Sequence, residues 1–169
     1  ISEGCFLNCK SIENFILPDR IKLIKAFAFG GTDIEQILEK GEGFDVNPKT
    51  IYFTRNSSLS TIANNAFETE IWTPETTSNK LKRITLPNTM SIADASYNFL
   101  LSKYLKTISL VDSEASKLVL KDNILFANKN ETVVARALQT SDTIIDTVEL
   151  FNATTVFDYA FYNCESIKS

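Results

Sequence analysis

Two stretches, Cys5-Phe6-Leu7-Asn8-Cys9-Lys10-Ser11-Ile12 and Ala160-Phe161-Tyr162-Asn163-Cys164-Glu165-Ser166-Ile167, repeat one spacing of small residue, aromatic, cysteine and aliphatic. Each aromatic follows an aliphatic five positions earlier. The same arrangement recurs as Ile1-x3-Cys5-Phe6, Ile24-x3-Ala28-Phe29, Ile62-x3-Ala66-Phe67, Ile92-x3-Ser96-Tyr97 and Val156-x3-Ala160-Phe161. A second pattern, aliphatic-x-x-aliphatic-x-Leu, runs through Ile12-x-x-Phe15-x-Leu17, Leu81-x-x-Ile84-x-Leu86, Leu105-x-x-Ile108-x-Leu110 and Ile145-x-x-Val148-x-Leu150, with a weaker copy at Ile34-x-x-Ile37-Leu38. Its first positions fall at 12, 34, 81, 105, 145 and, counting Ile167, 167. A unit of about 22–24 residues with two insertions accounts for these intervals and lies within the length range of leucine-rich repeats.

Each half of the unit has a physical reading. Alternation in x-I-x-L sends aliphatic side chains to one face and the intervening residues to the other, which makes a short strand. At Leu17-Pro18 and Leu86-Pro87 proline, which cannot donate to a ladder, ends it. The aliphatic, small residue and aromatic at i, i+4 and i+5 fit one helical or 3₁₀ turn with a single inward face. One such unit cannot bury its apolar side alone, whereas stacked units can. The predicted fold is therefore a repeat solenoid, a right-handed array of short strands and short helical turns, with Phe6, Phe29, Phe67, Tyr97 and Phe161 sharing one aromatic row.

Composition narrows the chemistry. The 169 residues include no His and only 3 Cys, so His-dependent nucleophile pairs and His-based metal sites cannot be assembled from this chain alone. Neither Gly30-Gly31 nor Gly41-Glu42-Gly43 completes a phosphate-cradling motif. No catalytic residue, cofactor or metal site is assigned. With 17 Lys+Arg against 21 Asp+Glu the net charge is -4, opposite to the basic stripe that tracks phosphates, so nucleic acid is not an expected partner. No run of 18 apolar residues marks a transmembrane span.

At the quoted residues the chain resembles the BspA-like, or Treponema pallidum type, leucine-rich repeats. Ala160-Phe161-x-x-Cys164 and Cys5-Phe6-x-x-Cys9 look like the family's A-F-x-x-C-x-x-L core, and Phe15-Ile16-Leu17-Pro18 and Ile84-Thr85-Leu86-Pro87 look like its I-x-L-P strand. Thr32 and Glu70 take the cysteine position in two units, and Tyr97 replaces phenylalanine. The resemblance implies a surface-exposed or secreted adhesion protein. It also implies that Cys9 and Cys164 are buried repeat cysteines, and thiol titration is expected to find three free thiols.

The whole chain reads as one repeat domain with units near 1–23, 24–61, 62–91, 92–155 and 156–169. Residues 38–58, with Gly41, Gly43 and Pro48 ahead of an apparent strand at Ile51-Tyr52-Phe53, read as a loop insert carrying a degenerate repeat. Residues 117–138, where apolar runs alternate with Lys121-Asp122-Asn123 and Asn128-Lys129-Asn130-Glu131, read as a hairpin insert. Residues 73–80 read as a plain polar loop. Because the sequence opens inside one repeat and stops inside another, a fragment of a longer array is expected.

Function is expected on the outward strand positions, commonly the concave face that receives partners in such arrays. Asn14, Ile16, Gln36, Arg83, Thr85, Lys106, Thr107, Ser109, Thr147 and Glu149 are the candidates, with Leu38 beside Gln36 and Lys82 adding charge. A mixed face of this kind suits contact with a protein. The family resemblance implies a partner among proteins, extracellular matrix included, or glycans, met by a monomer at the cell surface or outside the cell. A structural spacer presenting another domain is the alternative. A carbohydrate-active enzyme is the third reading: it would need paired acids, for which Glu13 and Glu35 on adjacent strands offer about 5 Å.

Overall fold

The structure, a computed structural model, describes residues 1–41, 49–93, 97–139, 150 and 152–165. Five strands make one parallel sheet: β1 (Asn14–Ile16), β3 (Gln36–Glu39), β4 (Thr50–Phe53), β6 (Arg83–Leu86) and β7 (Thr107–Leu110). A second parallel pair joins β2 (Leu23–Ile24) to β5 (Thr61–Ile62). The remaining sheet combines β8 (Val119–Lys121), β9 (Ile124–Phe126), β10 (Val133–Ala137) and β11 (Thr155–Val156). In it β8 and β9 form a hairpin through Asp122 and Asn123, both left-handed, as a tight hairpin turn requires.

Register along the large sheet aligns Phe15, Ile51, Ile37, Ile84 and Ile108 in one inward row, all packed in or against one apolar core cluster. The strand order is β1-β4-β3-β6-β7. The second strand in space is thus the third in sequence: β4 lies between β1 and β3. Thr50 N donates to Glu13 O on one side, and Glu35 N donates to Lys49 O on the other. Glu13 and Glu35 are therefore two strands apart, about 9–10 Å. Lys49 lies between them, and the expected 5 Å pair does not form.

The turns are not helical as expected. Residues 2–9 contain three overlapping i→i+3 turns (Cys5 N to Ser2 O, Leu7 N to Gly4 O, Cys9 N to Phe6 O), and residues 25–32 and 157–164 repeat this. The first and third of the three carry a left-handed residue at their third position, as a type II turn demands. These residues are Gly4 and Asn8, Phe27 and Gly31, Tyr159 and Asn163, with φ between 58° and 68°. A left-handed residue cannot continue a right-handed helix. Among the described residues the only helical segment is a 3₁₀ turn, Asn98–Leu101.

Turns stack through their backbones. Gly4, Phe6 and Asn8 donate to Ala26, Ala28 and Gly30 carbonyls, and Phe27 and Phe29 donate to Asn65 and Ala66. The small residues Ala28, Ala66 and Ala160 are fully buried, which allows this approach. A Cβ on Gly30 would lie 2.0 Å from Glu68 O, so that position admits only glycine. Phe6 and Phe29 stack at 5.2 Å between centroids, and Phe29 and Phe67 at 5.8 Å. The single aromatic row ends there as a stack. Tyr97 joins the same core but packs on Phe157 at 5.1 Å. Phe161 packs against a separate cluster with Ile124, Phe126, Val134, Ala137 and Ala160, because the second sheet intrudes there.

Candidate functional site

The outer face of the large sheet has two rows. The first runs Asn14, Thr50, Gln36, Arg83, Thr107, and the second begins Ile16, Tyr52, Leu38 and ends Thr85, Ser109. Asn14, Ile16, Arg83 and Thr107 are exposed, as is Lys106 just before β7, while Gln36 and Ser109 are half-buried. Thr85 departs from the expectation of an exposed position, with 0% of its surface accessible, and Leu38 retains 1%. Leu38 and Tyr52 are buried outside both core clusters, so the central strands are covered on both faces, as parallel strands commonly are. Thr147 and Glu149 lie outside the described residues.

Charge concentrates on the rim where these strands begin. Consecutive backbone bonds order the rim as Glu13, Lys49, Glu35, Lys82, Lys106. Lys82 Nζ pairs with Glu35 at 2.8 Å, Lys80 pairs with Asp33, and Lys49 reaches the same Asp33 at 3.9 Å. The hydrogen bond from Lys80, reinforced by the positive charges of Lys80, Lys49 and Lys10, holds the Asp33 carboxyl below its ordinary range despite partial desolvation. The same bond raises Lys80. Arg83 and Lys106 make no ion pair among the described residues, so beside the Glu35-paired Lys82 this end of the rim carries their two uncompensated positive charges on a chain of net charge -4.

The cysteines also depart from expectation. Cys5 and Cys9 are exposed and Cys164 is half-buried, and all three are unbridged. At the equivalent position Thr32 keeps 1% exposure and donates its hydroxyl to Phe29 O at 2.7 Å. Thr32 has a stacked turn on each side; within this chain the turn holding Cys9 has one on one side only. Burial here belongs to the neighbours, not to the residue type.

Composition gave no signal for two buried charges. Glu68, 2% exposed, accepts from Thr77 Oγ1, Ser78 N, Ser78 Oγ and Asn79 N at 2.6–3.2 Å, so the polar stretch 73–80 is partly tied down by one carboxylate. Arg136, also 2% exposed, donates to the carbonyls of Leu100, Ala137 and Ala160 at 3.1, 2.6 and 3.0 Å. Desolvation lowers its pKa, and the neighbouring Cys164 opposes that shift.

The stacked turns, the I-x-L strands and the one-sided apolar spine are those of a leucine-rich array, and the profile of the BspA type leucine rich repeat region matches residues 1–113 in six copies. The chain belongs to the BspA-type leucine-rich repeat family. The turn at 157–164 repeats the bonding pattern of residues 2–9 although it lies beyond the matched span. Among curated proteins no sequence matches the chain. Among solved structures, the crystal structure of the pneumococcal vaccine antigen PcpA aligns over 95% of this chain and 55% of its own, at 16% identity and a TM-score of 0.43. The chain thus spans about half the length of that structure. Among the described residues no group of three or more His, Cys, Asp or Glu is placed to hold a metal ion, and no helix is long and apolar enough to cross a membrane.

Proposed function

We propose that this chain is a non-enzymatic binding module of a cell-surface or secreted protein, which docks an acidic protein partner on the rim formed by Lys82, Arg83 and Lys106. Host matrix proteins and the surfaces of other cells are the partner classes that the family membership favours. One observation carries the reading: Arg83 and Lys106 are exposed cations without ion-pair partners among the described residues, on consecutive strands. Arginine is enriched at binding hot spots and can pair bidentately with a carboxylate. Glu35 does not support the enzymatic reading, since it is engaged by Lys82 and kept from Glu13 by an intervening strand.

Reversing both charges, Arg83→Glu with Lys106→Glu, is expected to slow association with an acidic matrix protein and flatten its salt dependence, leaving thermal stability unchanged. Surface capture against matrix proteins at several ionic strengths measures this. Unaltered association kinetics in the double variant would move the contact away from the rim. Absence of any captured partner would favour the spacer reading.

A further inference from the structure

A second surface, away from the strand rim, has the makings of a small-molecule site. Where neighbouring turns elsewhere bond backbone to backbone, the turn at residues 63–68 and the 3₁₀ turn are joined by asparagine side chains. Asn65 N donates to Asn98 Oδ1 at 2.7 Å, Asn98 N to Asn64 Oδ1 at 3.0 Å and Asn98 Nδ2 to Asn65 Oδ1 at 2.8 Å. This substitution leaves a cavity of about 310 Å³, walled by Ile71, Trp72, Tyr97 and Tyr159 above the three amides. Trp72 is fixed in it: its backbone N donates to Asn65 Oδ1 at 3.0 Å, and its ring packs edge-on to Tyr159 at 5.0 Å.

We infer that this cavity binds a neutral carbohydrate, one or two pyranose rings of a glycan chain. Three features select that chemistry. No charged residue lines the cavity, which disfavours an ionic ligand. The partly exposed rings of Trp72 and Tyr159 offer apolar surface to the C–H side of a sugar ring, as aromatic groups do. The Asn64 and Asn65 carboxamides accept the bonds just described through Oδ1, while each Nδ2 finds no acceptor among the described residues, leaving donors for ring hydroxyls. Ile71, 74% exposed, and Tyr159, 49% exposed, form the open lip, the apolar rim against which a longer chain would lie.

Trp72 is the single tryptophan of the chain and reports on the cavity directly. Titration with neutral trisaccharides of glucose, galactose, mannose and N-acetylglucosamine, followed by tryptophan emission and ligand-observed NMR, is expected to show saturable binding of at least one. Tyr159→Ala and Ile71→Arg should each weaken it about tenfold or more, equivalent to about 1.4 kcal/mol. Ile71→Arg charges an exposed lip position and so leaves folding intact. Arg83→Glu with Lys106→Glu should leave sugar binding unchanged, separating this site from the protein-binding rim. The inference is overturned if no trisaccharide changes emission up to solubility, if the lip variants bind as well as the parent, or if a sulfated trisaccharide binds more tightly than its neutral counterpart.

Discussion

Phe29 shows how one side chain can anchor several units. It is 1% exposed, lies between Phe6 and Phe67, and meets Phe15 edge-on at 5.5 Å. Truncation to alanine removes a buried ring and leaves a cavity in the middle of the stack, a loss of about 3–5 kcal/mol. Denaturant unfolding should show it as a lower midpoint with an unchanged slope; an effect below about 1 kcal/mol would mean that the stack does not support the core. The thiols provide a second test. Cys5 and Cys9 are exposed, whereas burial pushes the Cys164 thiol up and its S–H faces Ala137 O at 3.6 Å. A thiol reagent on the folded protein should therefore modify two cysteines quickly and the third slowly, with three free thiols found after denaturation. Three equally fast thiols in the native state would contradict the packing of Cys164.

The defining element is the triple turn. Asn8 is exposed at φ 60°, at a position held by Gly31 and Asn163 in other copies. Asn8→Gly should be close to neutral, while Asn8→Ala should cost about 1 kcal/mol more, because a Cβ is disfavoured in left-handed backbone. Equal stabilities would mean that this turn is not fixed in the type II form. Between units, the Asp33–Lys80 pair provides a pH signature. Asp33 is depressed in the fold, so its contribution is present above the unfolded value of about 3.9 and is lost as pH falls through the lower folded value. Lys80 is raised, so its contribution holds below about 10.4 and fades as pH climbs through the raised value. Lys80 is exposed and Asp33 keeps 33% of its side chain in solvent, and screening limits the pair to about 1 kcal/mol or less. Asp33→Asn should accordingly lower stability slightly at pH 7, with the difference from the parent vanishing as pH falls below the lowered folded value and shrinking in high salt. A deficit unchanged across that range would assign the effect to packing.

At the scale of the molecule, Arg136 ties the second sheet to the repeat stack. Its three carbonyl partners belong to the 3₁₀ turn, to β10 itself and to the turn at 157–164, and Ala137 N adds a backbone bond to Ala160 O at 2.7 Å. Arg136→Met keeps most of the volume but removes the donor to Leu100 O and leaves Ala137 O and Ala160 O with only the Cys164 S–H and Ala137 N–H, a cost of about 1–3 kcal/mol. Hydrogen exchange should localise the loss, with faster exchange at Ala137 and Ala160 and little change at Phe6 and Phe29. Uniform acceleration over the whole chain would instead make the two sheets one cooperative unit.

Periodicity alone determined that the chain is a repeat array with short parallel strands and a one-sided apolar spine. Ile37, Ile51, Ile84 and Ile108 occupy the inward row because strand alternation leaves them nowhere else to go. The glycines and asparagines at 4, 8, 31, 65 and 163 were not legible as left-handed turn positions, since the spacing of apolar residues is the same for a helical turn and for overlapping tight turns. What only the tertiary structure decided are the long-range placements: β4 inserted between β1 and β3, Thr85 covered although it points away from the core, and Cys9 exposed although it matches a core motif. Asn64, Asn65, Trp72 and Tyr159, from three separate segments, meet around one cavity for the same reason. Local pattern fixes which face a residue takes, while its burial and its neighbours depend on which distant segment packs against that face, and that is a property of strand order.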